Sequence, residues 1–283
     1  MTGYSPVIQT MFSASRWFSR SVTLPWAVPG IVAAALSLVQ SALASERIPE
    51  PPDAPKTRFE TWFDYQENAD DSGQYELTQK IYIPLGSSGG WRFTGRLDVP
   101  FLYTNKEGSG NPAGDWEFHV GDSLTELYAT TPPVAPHLTL GGSLRLVWPT
   151  GGQPPFGAEQ YQWAPSLYLD YRVPDLGYGF TLHPLARYLM SYHANSAGAT
   201  KIRKLELYPT VSFDLPDQWF IALYPENPIV YNEITGQWFV PFEAMVGKDL
   251  SERLHLGFGG AVKLGGNDPQ YQYLLEALVE WRF

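Results

Sequence analysis

The strongest constraint on the fold of this chain is an alternation of apolar and polar residues that runs from Thr57 to the last residue. In the final segment the apolar set occupies every second position, as Tyr271, Tyr273, Leu275, Ala277, Val279, Trp281 and Phe283. Between these positions lie Gln272, Leu274, Glu276, Leu278, Glu280 and Arg282, which are mostly polar. Successive side chains of a β-strand point to opposite faces, so a period of two predicts a strand with one apolar and one polar face.

The same alternation defines twelve strands, and no helix is predicted after residue 44. The strands are bounded by Gly, Pro, Asn or Asp and span 58–65, 74–84, 91–103, 116–130, 137–148, 161–172, 178–192, 202–213, 218–225, 237–247, 254–264 and 271–283. The connections are mostly long after odd-numbered strands, as at 105–115 and 149–160, and mostly shorter after even-numbered strands, as at 173–177. An even strand number with long loops on one side and short turns on the other is typical of bacterial outer-membrane barrels.

The predicted fold is therefore all-β, a transmembrane antiparallel up-and-down β-barrel of about twelve strands. Lipid offers no hydrogen bonds, so a sheet inside it must close on itself and turn an apolar face outward. Aromatic residues near the strand ends fit the two interfacial girdles of such a barrel: Trp91, Tyr103, Trp148, Trp163, Tyr178, Tyr192, Trp219, Trp238, Trp281 and Phe283. The alternative is a soluble β-sandwich or propeller, which the strand lengths and the aromatic last strand disfavour.

The first 44 residues differ from the rest and predict a signal peptide cleaved after Ala44. They carry Arg16 and Arg20, no acid, and an apolar run that ends in Ala-Leu-Ala. A transmembrane anchor is disfavoured because this run contains Pro29-Gly30 and is shorter than the ~20 residues that a spanning helix needs. Met11 is an alternative start. Residues 45–56 hold four prolines and predict a periplasmic tail, with entry into the barrel as the alternative, and the barrel occupies 57–283.

Composition narrows the chemistry and the partners. The chain has no Cys, which excludes thiol catalysis, and no two of its five His stand at the i, i+4 spacing of a helical zinc site, so neither a metal nor a cofactor is predicted. Loss of residues 1–44 leaves 17 Lys and Arg against 29 Asp and Glu, a net charge of −12 that argues against nucleic acid as a partner.

The expected partners are outer-membrane lipid and lipopolysaccharide, the barrel-insertion machinery and a small solute. Tyr273, Trp281 and Phe283 mark the predicted C-terminal insertion strand.

A hydrolase motif appears at Gly121-Asp122-Ser123-Leu124, which has the spelling of the GDSL nucleophile block of lipases and esterases. A nucleophilic serine needs an imidazole to accept its proton, and that family places its histidine late in the chain. The last histidine here is His255, before the Gly-Gly-Asn-Asp at 265–268 that imitates the family's Asn block. We therefore expect Ser123 to be a strand residue and no catalytic residue to be present.

A second hydrolase hypothesis is a lipid-acting barrel enzyme of the phospholipase or lipid A deacylase type. Ser191 and His193 share a strand end on the predicted long-loop side, and Ser196 follows in the loop. Such a site also needs a group that orients the histidine, and the sequence offers none. Polar loop residues are the simpler interpretation.

Several short motifs occur in order along the predicted barrel. These are Gly121-Asp122, Pro149-Thr150-Gly151, Gln162-Trp163-Ala164-Pro165, Leu215-Pro216-Asp217-Gln218-Trp219 and Trp238-x-x-Pro241. From about Gln74 to Phe283 this layout resembles the family of predicted outer-membrane transporters associated with meta-pathway phenol degradation. The resemblance implies that Gly121-Asp122 is a glycine kink in a strand. It also implies passage of small, aromatic or otherwise hydrophobic solutes across the outer membrane.

If the apolar set faces lipid, the alternate set faces the lumen. The predicted lumen-lining residues are Arg92, Arg96, Asp98, Arg145, Tyr168, Asp170, Arg172, His183, Arg187, Lys204, Glu206, Tyr208, Glu243, Lys263, Glu276 and Glu280. Strands 3 to 8 then form a mainly basic wall, and strands 10 to 12 form a mainly acidic wall. Opposed walls produce a transverse field that orients dipolar solutes. Alternatively, the same charges pair with one another and plug the ring.

Three function classes therefore remain open. The first is a diffusion channel or transporter, the second a lipid-acting enzyme of the outer membrane, and the third a structural or surface-binding barrel. Ion conductance would favour the first, and release of fatty acid from membranes would favour the second.

Overall fold

The computed structural model describes residues 56–174 and 179–283. The predicted signal peptide, all but the last residue of the predicted tail, and Tyr178 lie outside the described residues. Within the described ranges the one helical element is a 3-10 turn at Pro216–Gln218. No helix in this part of the chain has the length and apolar composition needed to span a bilayer.

Sixteen strand segments make up the fold. They are β1 (Arg58–Asn68), β2 (Gly73–Ser88), β3 (Trp91–Thr104), β4 (Glu117–Val120), β5 (Ser123–Thr130), β6 (Leu138–Trp148), β7 (Gln160–Arg172), β8 (Thr181–Leu182), β9 (Leu185–Ala194), β10 (Arg203–Tyr208), β11 (Val211–Asp214), β12 (Trp219–Leu223), β13 (Ile229–Asn232), β14 (Gln237–Asp249), β15 (Leu254–Gly266) and β16 (Tyr271–Arg282).

These segments form one closed antiparallel ring. Neighbouring strands of the ring pair with one another, and β1 pairs with both β2 and β16, which closes the sheet. Four ring positions hold two segments each, namely β4/β5, β8/β9, β10/β11 and β12/β13. The ring therefore has twelve strand positions, and the predicted all-β, twelve-strand antiparallel barrel is confirmed.

The two faces of the wall differ as the alternation predicts. On the outer face Leu97, Leu140 and Leu275 are 42%, 41% and 58% exposed. The side chains of Arg96 and Glu280 are buried inside the ring. A soluble sandwich or propeller would bury the leucines and expose the charges. Apolar side chains on the outside of a closed ring instead match the hydrocarbon core of a membrane.

The outer wall also carries the aromatic residues expected near its two edges. Six of the predicted girdle residues are exposed there: Trp91, Trp148, Trp163, Tyr192, Trp219 and Trp238. At the long-loop end, a row of neighbouring aromatic rings continues across the outer wall from Tyr273 through Tyr65, Tyr75 and Tyr103 to Trp116. Aromatic side chains with a polar edge favour the boundary between hydrocarbon and headgroups, so this band fits one interface of the membrane.

Prolines interrupt three positions of the ring. The sequence predicts continuous strands at the first two, 178–192 and 202–213, whereas it places β13 in a long loop after the strand predicted at 218–225. Pro184 separates β8 from β9, Pro209 separates β10 from β11, and Pro225 and Pro228 lie between β12 and β13. Proline has no N–H to donate to a ladder and is excluded from continuous central strands. The fourth interruption, at Gly121-Asp122, is the predicted glycine kink. A Cβ at Gly121 would lie only 3.0 Å from the Pro100 ring.

The prediction that Tyr271 faces lipid is wrong. The register between β1 and β16 shifts between Glu67 and Asn68, opposite the start of β16. This bulge turns Tyr271 inward, where it is 6% exposed and packs edge-on against Phe239. A bulge reverses the face of the residues beyond it, which simple alternation in one strand does not reveal.

Candidate functional site

The interior of the ring holds a cavity of about 500 Å³. Its lining comes from strands on several sides of the barrel and from the segment that follows β12. The charged lining residues and His183 are Asp64, Glu76, Lys80, Arg96, Asp98, Asp122, Arg145, His183, Arg187 and Glu226. Aromatic side chains contribute as well, among them Trp62, Tyr128 and Tyr208. The cavity is therefore lined by many polar groups, and its volume is larger than that of a single water molecule.

A carboxylate at the centre of β5 organises the arginines of one wall. Glu126 Oε2 accepts hydrogen bonds from Arg145 Nε at 2.9 Å and Nη2 at 2.8 Å. Glu126 Oε1 lies 3.3 Å from Arg187 Nη2, and Arg187 continues to Glu206 at 3.4 Å. The Glu126 side chain is completely buried, so these charges compensate one another away from bulk water.

A second ion pair extends this wall along β3. Arg96 holds Asp98 through two parallel hydrogen bonds, 2.7 Å from Nε to Oδ1 and 2.5 Å from Nη2 to Oδ2. Its third nitrogen donates to the Tyr128 hydroxyl at 3.2 Å. Arg96, Arg145 and Arg187 are therefore matched by Asp98, Glu126 and Glu206. At its centre, the wall predicted to be mainly basic is therefore close to electrically balanced.

The opposite wall carries an excess of carboxylates. Asp64 on β1 pairs in register with Glu76 on β2 and with Glu276 on β16, which places three carboxylates side by side. Glu243 lies next in this row, against Glu276. Lys80 is the cation nearest these groups among the residues that line the cavity. The acidic character expected for this wall is present and extends to β1 and β2.

Apolar packing fills part of the lumen beside the acidic wall. One cluster comprises Val230, Phe239, Ala261, Tyr271 and Leu274. Another comprises Trp62, Met245 and Leu278. The open space is therefore lined mostly by β1, β2, β3, β5, β6 and β9. The ring is neither fully packed nor a wide pore, which suits a barrel between the filled eight-stranded type and the large porins.

The predicted lumen residues fall into two groups. Inside the ring, Asp98, Arg187, Glu243, Glu276 and Glu280 are buried and Tyr208 bonds to Arg187. The side chains of Arg96, Arg145 and Glu206 lie there too and are at most 15% exposed. The others lie toward the two ends: Arg92, Asp170, Arg172 and His183 near the short turns, and Lys204 and Lys263 near the long loops. Tyr168 bonds to Thr130 at 2.6 Å.

Several interior charges lie outside the predicted set. Asp64, Glu76, Lys80 and Glu126 belong to the alternate positions of β1, β2 and β5. The alternation applied to the other strands would have identified them. Glu226 is different, because it belongs to a connection that the sequence places in a long loop.

The residues of the GDSL motif connect the start of β5 to the loop at 149–159. The Ser123 hydroxyl lies 2.8 Å from Thr150 Oγ1, and Asp122 accepts the backbone N–H groups of Gly151 at 2.9 Å and Ala158 at 2.7 Å. The Gly-Asp and Pro-Thr-Gly motifs therefore meet at the kink. Thr150 supplies no base, so this geometry does not activate Ser123 as a nucleophile.

Removing the Asp122 carboxylate should loosen the loop at 149–159. Hydrogen bonds to a charged acceptor contribute roughly 1.5–3 kcal/mol each. We expect Asp122→Ala to speed amide exchange at Gly151 and Ala158 by at least about tenfold. Asp115→Ala, at an exposed loop position, is the matched control and should leave both rates unchanged. Unaltered exchange in Asp122→Ala would contradict the anchoring role.

The second hydrolase hypothesis gains no geometric support. Ser191 Oγ accepts the Ile202 N–H at 3.0 Å, and Ser196 Oγ donates to Glu159 at 3.2 Å. The His193 ring faces Tyr161, with ring centres 5.7 Å apart. A register shift between Tyr161 and Gln162 places the side chains of Ser191 and His193 on opposite faces of the strand.

In the part of the chain that the structure describes, no group of three or more His, Asp or Glu is placed to hold a metal ion.

Comparisons with known proteins identify the fold. No family model and no curated protein matches the chain. Among solved structures, an outer-membrane channel from Pseudomonas putida F1 is similar, with a TM-score of 0.63 and 10% identity over 83% of this chain and 100% of that one. The beta domain of the Bordetella autotransporter BrkA gives a TM-score of 0.46 with 15% identity, covering 82% and 100%. The P. putida toluene transporter TodX gives 0.40 with 12% identity, covering 81% and 91%. The chain thus shares its barrel architecture with an outer-membrane channel, and membership of the phenol-degradation family stays a prediction.

Proposed function

We propose that this protein is an outer-membrane channel for small solutes. The observation that carries the proposal is the combination of an apolar outer wall, a closed ring and a charged cavity inside it. A membrane barrel that served only as a scaffold would gain nothing from keeping a polar space within its core. The similar fold of the P. putida channel supports the same conclusion.

The outer wall also determines the surroundings that we propose. An exposed apolar belt needs the hydrocarbon of the outer membrane, with lipopolysaccharide in contact with the long-loop end. Barrel-insertion machinery would deliver the chain, with Tyr273, Trp281 and Phe283 marking the strand that it recognises. Phe283 already extends the pairing of the last strand, because its N–H donates to the Thr57 carbonyl at 2.9 Å.

The solute class follows from the side chains around the cavity. The family resemblance implies aromatic or hydrophobic solutes, and Trp62, Tyr128 and Tyr208 offer ring faces and edges. Wholly apolar molecules would have to displace water from buried charges without replacing its hydrogen bonds. We therefore propose small aromatic solutes that also carry a polar or charged group.

Conductance is the direct test of the channel. Purified, refolded protein should migrate faster on a gel before boiling than after, as closed barrels do, and should give discrete conductance steps in a planar bilayer. A mobility shift without conductance would favour a structural or surface-binding barrel. Release of fatty acid from membrane lipid by the same preparation would instead favour a lipid-acting enzyme.

Charge reversal in the interior should change the ion preference. Arg96→Glu and Arg145→Glu each place a carboxylate beside an existing carboxylate, so we expect greater preference for cations, measured as a shifted reversal potential in a salt gradient. Arg203→Glu is the control, because Arg203 is exposed at the start of β10 beside Glu233. Unchanged reversal potentials in both interior variants would remove these arginines from the conduction path.

A further inference from the structure

The connection between β12 and β13 leaves the wall and enters the lumen. Leu223 is the last residue of β12 to pair with β14, opposite Ala244, and β13 resumes that pairing at Val230, opposite Phe239. Tyr224 has a φ of +53°, which turns the chain at this point. We call residues 224–228, with the sequence Tyr-Pro-Glu-Asn-Pro, the inward segment.

Glu243 on β14 fixes the inward segment in place. Its carboxylate accepts the N–H of Glu226 at 3.0 Å, the N–H of Asn227 at 2.8 Å and the Asn227 Nδ2 at 2.6 Å. The Tyr271 hydroxyl donates to Asn227 Oδ1 at 3.1 Å. Glu243 is completely buried, so these charge-assisted bonds are shielded from water. These bonds fix the position of the inward segment without any contact from the opposite wall.

From the inward segment, the Glu226 side chain extends across the lumen to Lys80. Glu226 Oε2 lies 2.6 Å from Lys80 Nζ. Lys80 stands on β2, five ring positions away from β12/β13, and six is the greatest separation in a ring of twelve. A circular twelve-strand barrel is about 24 Å across between backbones, from the spacing and tilt of its strands. Lys and Glu side chains do not span that width unaided, so the backbone of the inward segment supplies the difference.

Lys80 and Glu226 differ in how much of each side chain is exposed to the cavity. The Lys80 side chain is 5% exposed, and its ammonium group lies 4.4 Å from the centre of the Trp62 ring. The Glu226 side chain is 32% exposed. Asp64 and Glu76 line the same cavity nearby. A permeating ion would therefore meet carboxylate oxygen more readily than ammonium at this bridge.

We propose that the Glu226–Lys80 bridge is the constriction of the channel and its principal selectivity determinant. It favours inorganic cations, and solutes that carry an ammonium group, over anions. This inference rests on the proposed channel function and adds the charge class of the solute. Glu243 acts as a positioning residue, because it holds the backbone that presents Glu226.

Neutralising each partner separately should shift selectivity in opposite directions. Glu226→Gln should lower the cation-to-anion permeability ratio, and Lys80→Gln should raise it, each by on the order of twofold, as expected for one charge acting through water over about 8 Å. The readout is the reversal potential in a potassium chloride gradient. Glu233→Gln removes an exposed carboxylate near the end of β13 and should leave the ratio unchanged.

The absence of native cysteine allows a second, independent measurement. Glu226→Cys introduces the single thiol of the chain, and methanethiosulfonate reagents with a positive or a negative group then add charge at that point. We expect the two reagents to move the reversal potential in opposite directions, and to leave the cysteine-free protein unaffected. Heat-dependent gel mobility verifies that each variant is folded.

The outcomes separate this inference from the proposed function. A wild-type barrel that conducts, with unaltered selectivity in Glu226→Gln, Lys80→Gln and the labelled Glu226→Cys, would overturn the constriction and leave the channel standing. Shifts of the same sign in both neutral variants would also overturn it. A folded wild-type barrel that fails to conduct would overturn both.

Discussion

Leu97→Arg should destabilise the folded barrel by about 2–4 kcal/mol, the cost of an arginine that faces lipid near the bilayer midplane. Leu97 lies at the middle of β3, between Trp91 and Tyr103, and is 42% exposed on the outer wall. Its replacement would place a guanidinium in hydrocarbon, where neither water nor a protein partner is available. Equilibrium unfolding in guanidinium from lipid vesicles measures the change as a lower midpoint.

The control for this change is Leu264→Arg. Leu264 also faces outward, with 67% exposure, but it lies two positions from the end of β15 at the long-loop side. Near the interface the expected cost is only about 0–1 kcal/mol. Equal effects of the two substitutions would show that the outer wall does not face a membrane, and the assignment of the barrel to the outer membrane would fail.

Glu126→Ala should destabilise the barrel by about 3–5 kcal/mol, because it leaves the guanidinium groups of Arg145 and Arg187 beside each other without their shared carboxylate. The Arg187 side chain is 4% exposed, so water cannot easily replace the lost partner. The Ser143 hydroxyl loses its carboxylate acceptor as well. The same unfolding measurement applies, and added anions should partly restore stability by binding between the arginines.

Asp214→Ala is the matched control for the buried network. Asp214 lies 4.0 Å from Arg172 with both side chains more than half exposed, and such surface pairs contribute about 0–1 kcal/mol. If Glu126→Ala unfolded at the same denaturant concentration as Asp214→Ala, the interior charges would have to be well hydrated. The cavity would then be wider than its lining side chains indicate.

The general architecture could be predicted because membrane burial acts on every residue of a strand. The outward Leu97, Leu140 and Leu275 and the inward Arg96 and Glu280 follow directly from the period of two. The strand number follows from the same pattern, since the turns between repeats are marked by Gly, Pro, Asn and Asp. The kink at Gly121-Asp122 could also be predicted, because the family resemblance implies a glycine kink at this point of the strand.

The interior arrangement depends on features that a single strand does not contain. Tyr271 faces the lumen because a bulge shifts the register between β1 and β16, and a bulge depends on both strands. Glu226 reaches the lumen because prolines exclude residues 224–228 from the wall. The partners of Arg145 and Lys80 lie 19 and 146 residues away in the chain, and sequence spacing gives no measure of such distances.

The pairing of β1 with β16 sets the order of events during assembly. Hairpins such as β2–β3 join residues close in the chain and form at little entropic cost, whereas Phe59 must meet Trp281 across more than two hundred residues. The sheet therefore keeps two unpaired edges until the last strand arrives, and such edges invite pairing with other chains. The late closure of the sheet therefore exposes the chain to aggregation until its first and last strands have met.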